Sequence, residues 1–359
     1  MADTRYSIVS PKGKLTPAAS QQEALAAMQG SDYVWFDLFN PTHEQLDALA
    51  EPLHLHPLTI EDCFDDDQIP KIDLLPEYTF VLFNTFHWEG GELIVEEVDV
   101  LVGTKFLLTV HRSASEQRLL GDRFDAAIQL DMGNVRKGPD LLLHLVLDFV
   151  VDSKLSAIEK LQDGVDAAEE AILRDPASYK PEGLMHLRRQ VLSMRKSLLH
   201  EREVLSRICR KDSPFVTDKA IFSFRDIHDH VFRYLEIAEI CREMISSDME
   251  MYLSIINNRM TMVANRTNRV MRRLTLITTV FMPLTLLAGV GGMSEWSMMT
   301  GSENWRVSYP LFLLLMVVIG VVNYYVLRWL DRRDERVTGA SSGELRGDFE
   351  GPRSVRAKP

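Results

Sequence analysis

Two apolar stretches near the C-terminal end set the limits on what this chain can become. Leu274 to Met293 and Pro310 to Leu330 carry no charged side chain apart from Arg328, near the end of the second. Each is roughly 20 residues, which at about 1.5 Å per residue matches a hydrocarbon core about 30 Å thick. Both are expected to be transmembrane helices, although the chain as a whole, at 46% hydrophobic and 26% charged, has the composition of a soluble protein. Arg266, Arg269, Arg272 and Arg273 precede the first span, and Arg328, Arg332 and Arg333 close the second. The loop between them sets Arg306 against Glu295 and Glu303, so both termini are expected on the cytoplasmic side of the cell (inner) membrane. MADTRYSIVSPKGK lacks the apolar stretch of a signal peptide, which agrees with a cytosolic N-terminal part.

A net charge of −12 over 359 residues argues against a nucleic-acid partner and suits a domain that attracts cations. Cys63, Cys209 and Cys241 are widely spaced in the expected cytosolic part and suggest neither a disulfide frame nor a zinc cluster. The sequence has no phosphate-cradling glycine loop, no G-x-S-x-G and no nucleophile–base arrangement, so an enzyme is not expected.

Short runs rich in β-branched and aromatic residues, Tyr33 to Leu38, Tyr78 to Phe83, Val98 to Val102 and Phe106 to Val110, predict strands. Between them Thr42 to Ala50, with Thr42 as N-cap, and Pro57 to Cys63 predict short helices. Residues 1–139 are therefore expected to form a cytosolic α/β domain. Helical spacing over 140–223, broken near Asp175-Pro176 and Lys180-Pro181, predicts antiparallel helices. From Phe224 no strong breaker occurs before Pro283, and a continuous helix of that length would be roughly 90 Å long. The expected fold is an α+β membrane protein whose stalk helix, 224–273, continues into the first transmembrane helix, 274–293. An external loop, 294–309, a second transmembrane helix, 310–330, and a polar, disordered cytosolic tail, 331–359, complete it.

Steps of three and four along the long helix give Asn268, Met271, Thr275, Thr278, Met282, Thr285, Gly289 and Gly292. Toward the cytosol the same row continues through Ala264, Thr261, Asn257, Ser254 and Glu250. One reading is close helix packing with hydroxyls bonded back to their own helix. The other is a water-filled path in an oligomer, because polar positions at membrane depth face a cavity or a bundle interior. Hydroxyls, an amide and carbonyls suit Mg²⁺, which keeps its waters and asks for oxygen ligands.

Several stretches together resemble the CorA family of magnesium transporters over most of residues 55–333. Leu55-His-Pro-Leu-Thr-Ile-Glu-Asp62, Ile69-Pro-Lys-Ile-Asp73 and Tyr78-Thr-Phe80 resemble its N-terminal signature, and Phe106 to His111 its strand ending in Thr-Val-His. Thr279 to Ser294 is similar to its first span running into a Gly-Met-Asn triplet, which here reads Gly292-Met293-Ser294. The resemblance implies a homopentameric funnel with the first span lining the pore, passive movement of Mg²⁺ or of Co²⁺, Ni²⁺ or Zn²⁺, and ion capture at the triplet. It also implies Mg²⁺ sensing by cytosolic carboxylates, for which Asp62, Asp65, Asp66 and Asp67 are candidates, and no organic cofactor. Ser294 replaces an amide carbonyl with a shorter hydroxyl at the expected selectivity ring. A proton-coupled zinc transporter on the same scaffold and a non-conducting membrane scaffold are the competing readings.

Glu295 and Glu303 would attract cations to the external loop. His144, Asp148 and Asp152 fall at i, i+4 and i+8, a spacing that suits either three ligands or the polar edge of a packing face. His228-Asp229-His230 points neighbouring residues to different faces, and Asn323 inside the second span is expected to bond across helices.

Overall fold

The computed structural model describes residues 3–65, 68–113, 119–291, 301 and 304–347. The chain divides into two compact units, Met1–Ile256 and Asn257–Pro359.

In the first unit β1 (Asp3–Ser10), β2 (Lys14–Pro17), β3 (Tyr33–Phe39), β4 (Ile72–Leu74), β5 (Tyr78–Glu89), β6 (Glu92–Gly103) and β7 (Phe106–His111) form one sheet of order β2-β1-β3-β7-β6-β5-β4. All neighbours are antiparallel except β3 and β7. Every residue of β3 and β7 is buried because both sheet faces are covered, which is why these runs show no alternation of polar and apolar residues. Val34, Phe36 and Leu38 face a core closed by α1 (Gln21–Ala27), α2 (His43–Ala50) and α3 (Pro57–Asp62), whereas Tyr33 and Trp35 face the larger helical core. A two-residue turn, Gly90-Gly91 with φ of +58° and +90°, joins β5 to β6, and the positive φ at both positions favours glycine. Thr42 caps α2 as its sequence suggests, in a reciprocal capping box with Gln45.

The second face carries α4 (Asp122–Leu130), α5 (Met132–Val135), α6 (Pro139–Ser153), α7 (Leu155–Arg174), α8 (Glu182–Cys209) and the first part of α9 (Asp218–Gly291). The expected helical hairpin of 140–223 contains one more boundary, because α6 and α7 are separate helices meeting at Lys154. β4 is too short to cover the edge of β5, and α8 takes over there. Glu201 Oε1 accepts the Asn84 backbone N–H at 3.1 Å, and Asn84 Nδ2 donates to Ser197 Oγ at 2.9 Å. Capping a strand edge with polar side chains from a helix removes a template for mispairing.

Asp99 on β6 is 3% exposed and its Oδ1 has no hydrogen-bond partner. Burial, with Glu97 and Asp62 nearby, pushes its carboxyl well above the ordinary 3.8. The native state thus holds a proton where the unfolded chain has lost it, and stability falls as pH rises from about 3.8 through the raised value. Asp99→Asn is expected to melt higher than the natural chain at neutral pH, with the gap closing toward pH 4 in a melting series.

Candidate ion path and cytosolic metal cluster

In the second unit α9 packs against α10 (Trp305–Gly347), which continues past residue 330, where the second span was expected to end, as far as Gly347. Both α9 and the segment Arg306–Val326 are long and apolar enough to cross a membrane. Beyond residue 256 the half-buried positions of α9 are Leu276, Val280, Pro283, Leu284 and Leu287, and on α10 they are Ser308, Phe312, Met316, Ile319, Gly320 and Asn323 among the described side chains. Both sets recur every three or four residues, so each marks one helix face. Asn323 Nδ2 donates to the Thr279 carbonyl at 3.4 Å, and a Cβ at Gly320 would lie 3.6 Å from Leu284 Cδ1. Asn323 thus bonds across helices, and a small residue lets the two helices approach closely.

Asn268, Met271, Thr275, Thr278, Met282, Thr285 and Gly289 are all exposed in the single chain. At about 100° per residue they occupy roughly the opposite side of α9 from the face that meets α10. Thr275, Thr278 and Thr285 hydroxyls donate to the carbonyls of Met271, Leu274 and Phe281 at 2.9, 3.0 and 2.9 Å. Back-bonding and a wet path are therefore compatible. The bond uses the hydroxyl proton and leaves the oxygen lone pairs outward, able to accept from the waters of a hydrated cation. Gly292, Met293, Ser294, Glu295 and Glu303 lie outside the described residues.

The first unit brings Asp148 and Asp152 of α6 together with His230 of α9, their ligand atoms all within 4.8 Å of one another. Asp152 Oδ1 stands 3.8 Å from His230 Nδ1, a buried atom without a hydrogen-bond partner. Burial and the Asp152 carboxylate push the Asp148 carboxyl up, which a bound cation would reverse. His144 is not part of the group, since its ring meets Phe224 edge-on at 5.5 Å. The sequence spacing identified the two carboxylates but not their third member, because His230 comes from a helix distant in sequence. His228 approaches Asp229 instead, at 3.5 Å. Of the acidic run, Asp62 pairs with Lys71 at 2.7 Å, which reduces its availability to a cation, and Asp66 and Asp67 lie outside the described residues.

An α/β unit followed by two helices long and apolar enough to span a bilayer is the make-up of a membrane protein. Residues 30–332 match the family described as CorA-like Mg²⁺ transporter protein, and the chain belongs to that family. It is 32% identical over 280 residues to the cobalt/magnesium transport protein CorA of Thermotoga maritima, covering 76% of each chain. It is 23% identical over 297 residues to the protein of that name from Methanocaldococcus jannaschii, covering 82% of this chain and 90% of that one. The complete structure of the Methanocaldococcus jannaschii CorA magnesium transporter has the same fold, with a TM-score of 0.65 at 20% identity over 92% of this chain and 97% of that one.

Proposed function

We propose that copies of this chain assemble as a homopentamer in the cell membrane, with both termini cytoplasmic, and pass hydrated Mg²⁺ inward along a central path. Transport of divalent cations follows from membership of the family, whose relatives carry cobalt and magnesium in their names. The observation that carries the finer reading is the polar row of α9, Asn268 to Gly289, on the side turned from α10. A row that meets neither its own second helix nor, by its chemistry, lipid requires a wet interior, and one helix cannot enclose it. Side-chain oxygens at Asn268, Thr275, Thr278 and Thr285 would bond the ion's waters without stripping them, and Met271 and Met282 would narrow the path. Gly292, Met293 and Ser294 form the proposed outer selectivity ring, with Glu295 and Glu303 drawing cations toward it. A negative-inside potential supplies about 4–5 kcal/mol per divalent ion at 100 mV.

Mg²⁺ also acts as a regulator in this reading, at Asp148, Asp152 and His230 rather than at Asp62 and Asp65. Two carboxylates with water completing an octahedron suit it, and His230 Nδ1 can accept a hydrogen from a coordinated water. Such an ion would tie α6 to α9, the helix that also carries the polar row. In the Asp148→Asn, Asp152→Asn double variant, the Mg²⁺ concentration that protects the chain from limited proteolysis is expected to rise roughly tenfold. Unchanged protection would remove the regulator from this cluster. The transport reading itself is tested by growth in low-Mg²⁺ medium of a bacterial strain lacking its own Mg²⁺ uptake. Rescue by the chain supports it, and failure to rescue by a chain shown to reach the membrane counts against it.

A further inference from the structure

Below Leu274 the face of α9 that meets α10 changes character. Upward from there it carries Leu276, Val280, Pro283, Leu284 and Leu287, all half-buried. Continued downward in the same steps of three and four, it carries Arg273, Arg269, Arg266, Met262 and Arg259, all exposed. At about 100° per residue these arginines stand on the far side of the helix from Asn257, Thr261, Ala264, Asn268 and Met271. Arg269 Nε donates to the Asn265 carbonyl at 3.4 Å, which uses one of its five N–H groups. Among the described residues none of Arg266, Arg269 and Arg273 pairs with a carboxylate, whereas Arg272 has a partner of its own.

Height along the helix decides what these cations can meet. At about 1.5 Å per residue Arg273, Arg269 and Arg266 lie within about 12 Å of Leu274, where the apolar span begins. A headgroup layer extends roughly 5–8 Å beyond the hydrocarbon core, and a long arginine side chain spans the remainder. Arg259, about 22 Å below Leu274, is beyond that reach and beyond a Debye length of about 8–10 Å. A guanidinium takes phosphate oxygens in a two-pronged bond, and cations placed just cytoplasmic of a membrane span attract anionic lipid. Headgroups seated there neutralise the arginines from the lipid side, so a cation leaving the polar row does not meet their uncompensated field.

We propose that Arg266, Arg269 and Arg273 form a docking surface for anionic phospholipid headgroups of the cytoplasmic leaflet. The proposal rests on α9 entering the bilayer near Leu274, and the test separates the two claims. Spin-labelled phosphatidylglycerol and phosphatidylcholine are compared by electron paramagnetic resonance in Mg²⁺-free membranes holding the full chain, where the motionally restricted fraction reports lipid held against protein. The natural chain is expected to hold phosphatidylglycerol roughly threefold more strongly than phosphatidylcholine at low salt, with the difference shrinking at about 1 M salt. The triple variant Arg266→Gln, Arg269→Gln, Arg273→Gln should lose the preference, Arg269→Gln alone should lower it by a smaller step, and Arg259→Gln should keep it. Size-exclusion chromatography checks assembly, and the exposed single change at Arg269 and the salt series decide the matter if the triple variant does not assemble. Equal restriction of the two lipids, a preference that survives high salt, or one retained in the assembled triple variant overturns the proposal. So does loss of the preference on adding millimolar inorganic phosphate, which would assign the arginines to a soluble anion. Restriction of neither lipid would overturn the membrane reading itself, and this proposal with it.

Discussion

Lys154→Ala is expected to cost the first unit about 3–5 kcal/mol. Lys154 and Glu201 are both fully buried, and the Lys154 ammonium donates to Glu201 Oε1. The same ammonium lies 5.3 Å from the centre of the Phe83 ring and 5.1 Å from that of Phe86. Burial holds the lysine below its ordinary range, while Glu201 opposes that shift. Removing the cation alone leaves a buried carboxylate that still accepts from Asn84 N, with Oε2 already lacking a partner. Lys154→Met combined with Glu201→Gln removes both charges while keeping volume and the acceptor for Asn84, and should recover most of the loss. Denaturant unfolding followed by Trp35 and Trp88 fluorescence measures both. Lys154→Met alone is the volume-matched single variant, and a double variant no more stable than it would mean that the uncompensated Glu201 charge is not the source of the loss.

Thr278→Val is expected to lower divalent-cation flux on the order of tenfold while leaving assembly intact. The Thr278 hydroxyl donates to the Leu274 and Thr275 carbonyls, both at 3.0 Å, so only acceptor capacity is turned outward. Valine keeps the shape and removes that acceptor, and in a symmetric assembly every copy loses it together. Thr279→Val, one residue off the row, should conduct near the natural rate. Equal loss from both substitutions would mean that the effect comes from helix packing and not from a lined path.

Much of this architecture is legible in the sequence because a single physical demand dominates each stretch. The two apolar runs have nothing but a bilayer to bury them, and Tyr78 to Phe83 and Phe106 to Val110 are continuous because helices cover both faces of their sheet. The polar row on α9 follows from periodicity alone, since its members belong to one helix. Lys154 ends α6 inside the core, and no local pattern announces a buried lysine whose partner, Glu201, lies in another helix. The carboxylate–histidine cluster is half legible for the same reason: Asp148 and Asp152 share a helix, whereas His230 reaches them only through packing. His111 ends a buried strand, and its sequence context does not reveal that Glu96 and His87 stand beside it. β1, half exposed and mixed in polarity, has no strand signal of its own and is held by its register with β3.

Whether the chain conducts Mg²⁺ down the membrane potential is decided by Mg²⁺ uptake into proteoliposomes under an imposed negative-inside potential, with and without a pH gradient and with Ser294→Asn measured alongside. Flux through the natural chain is expected to follow the potential and ignore the proton gradient. Zinc flux that follows the proton gradient, or no flux from the natural chain alongside flux from Ser294→Asn, would contradict it.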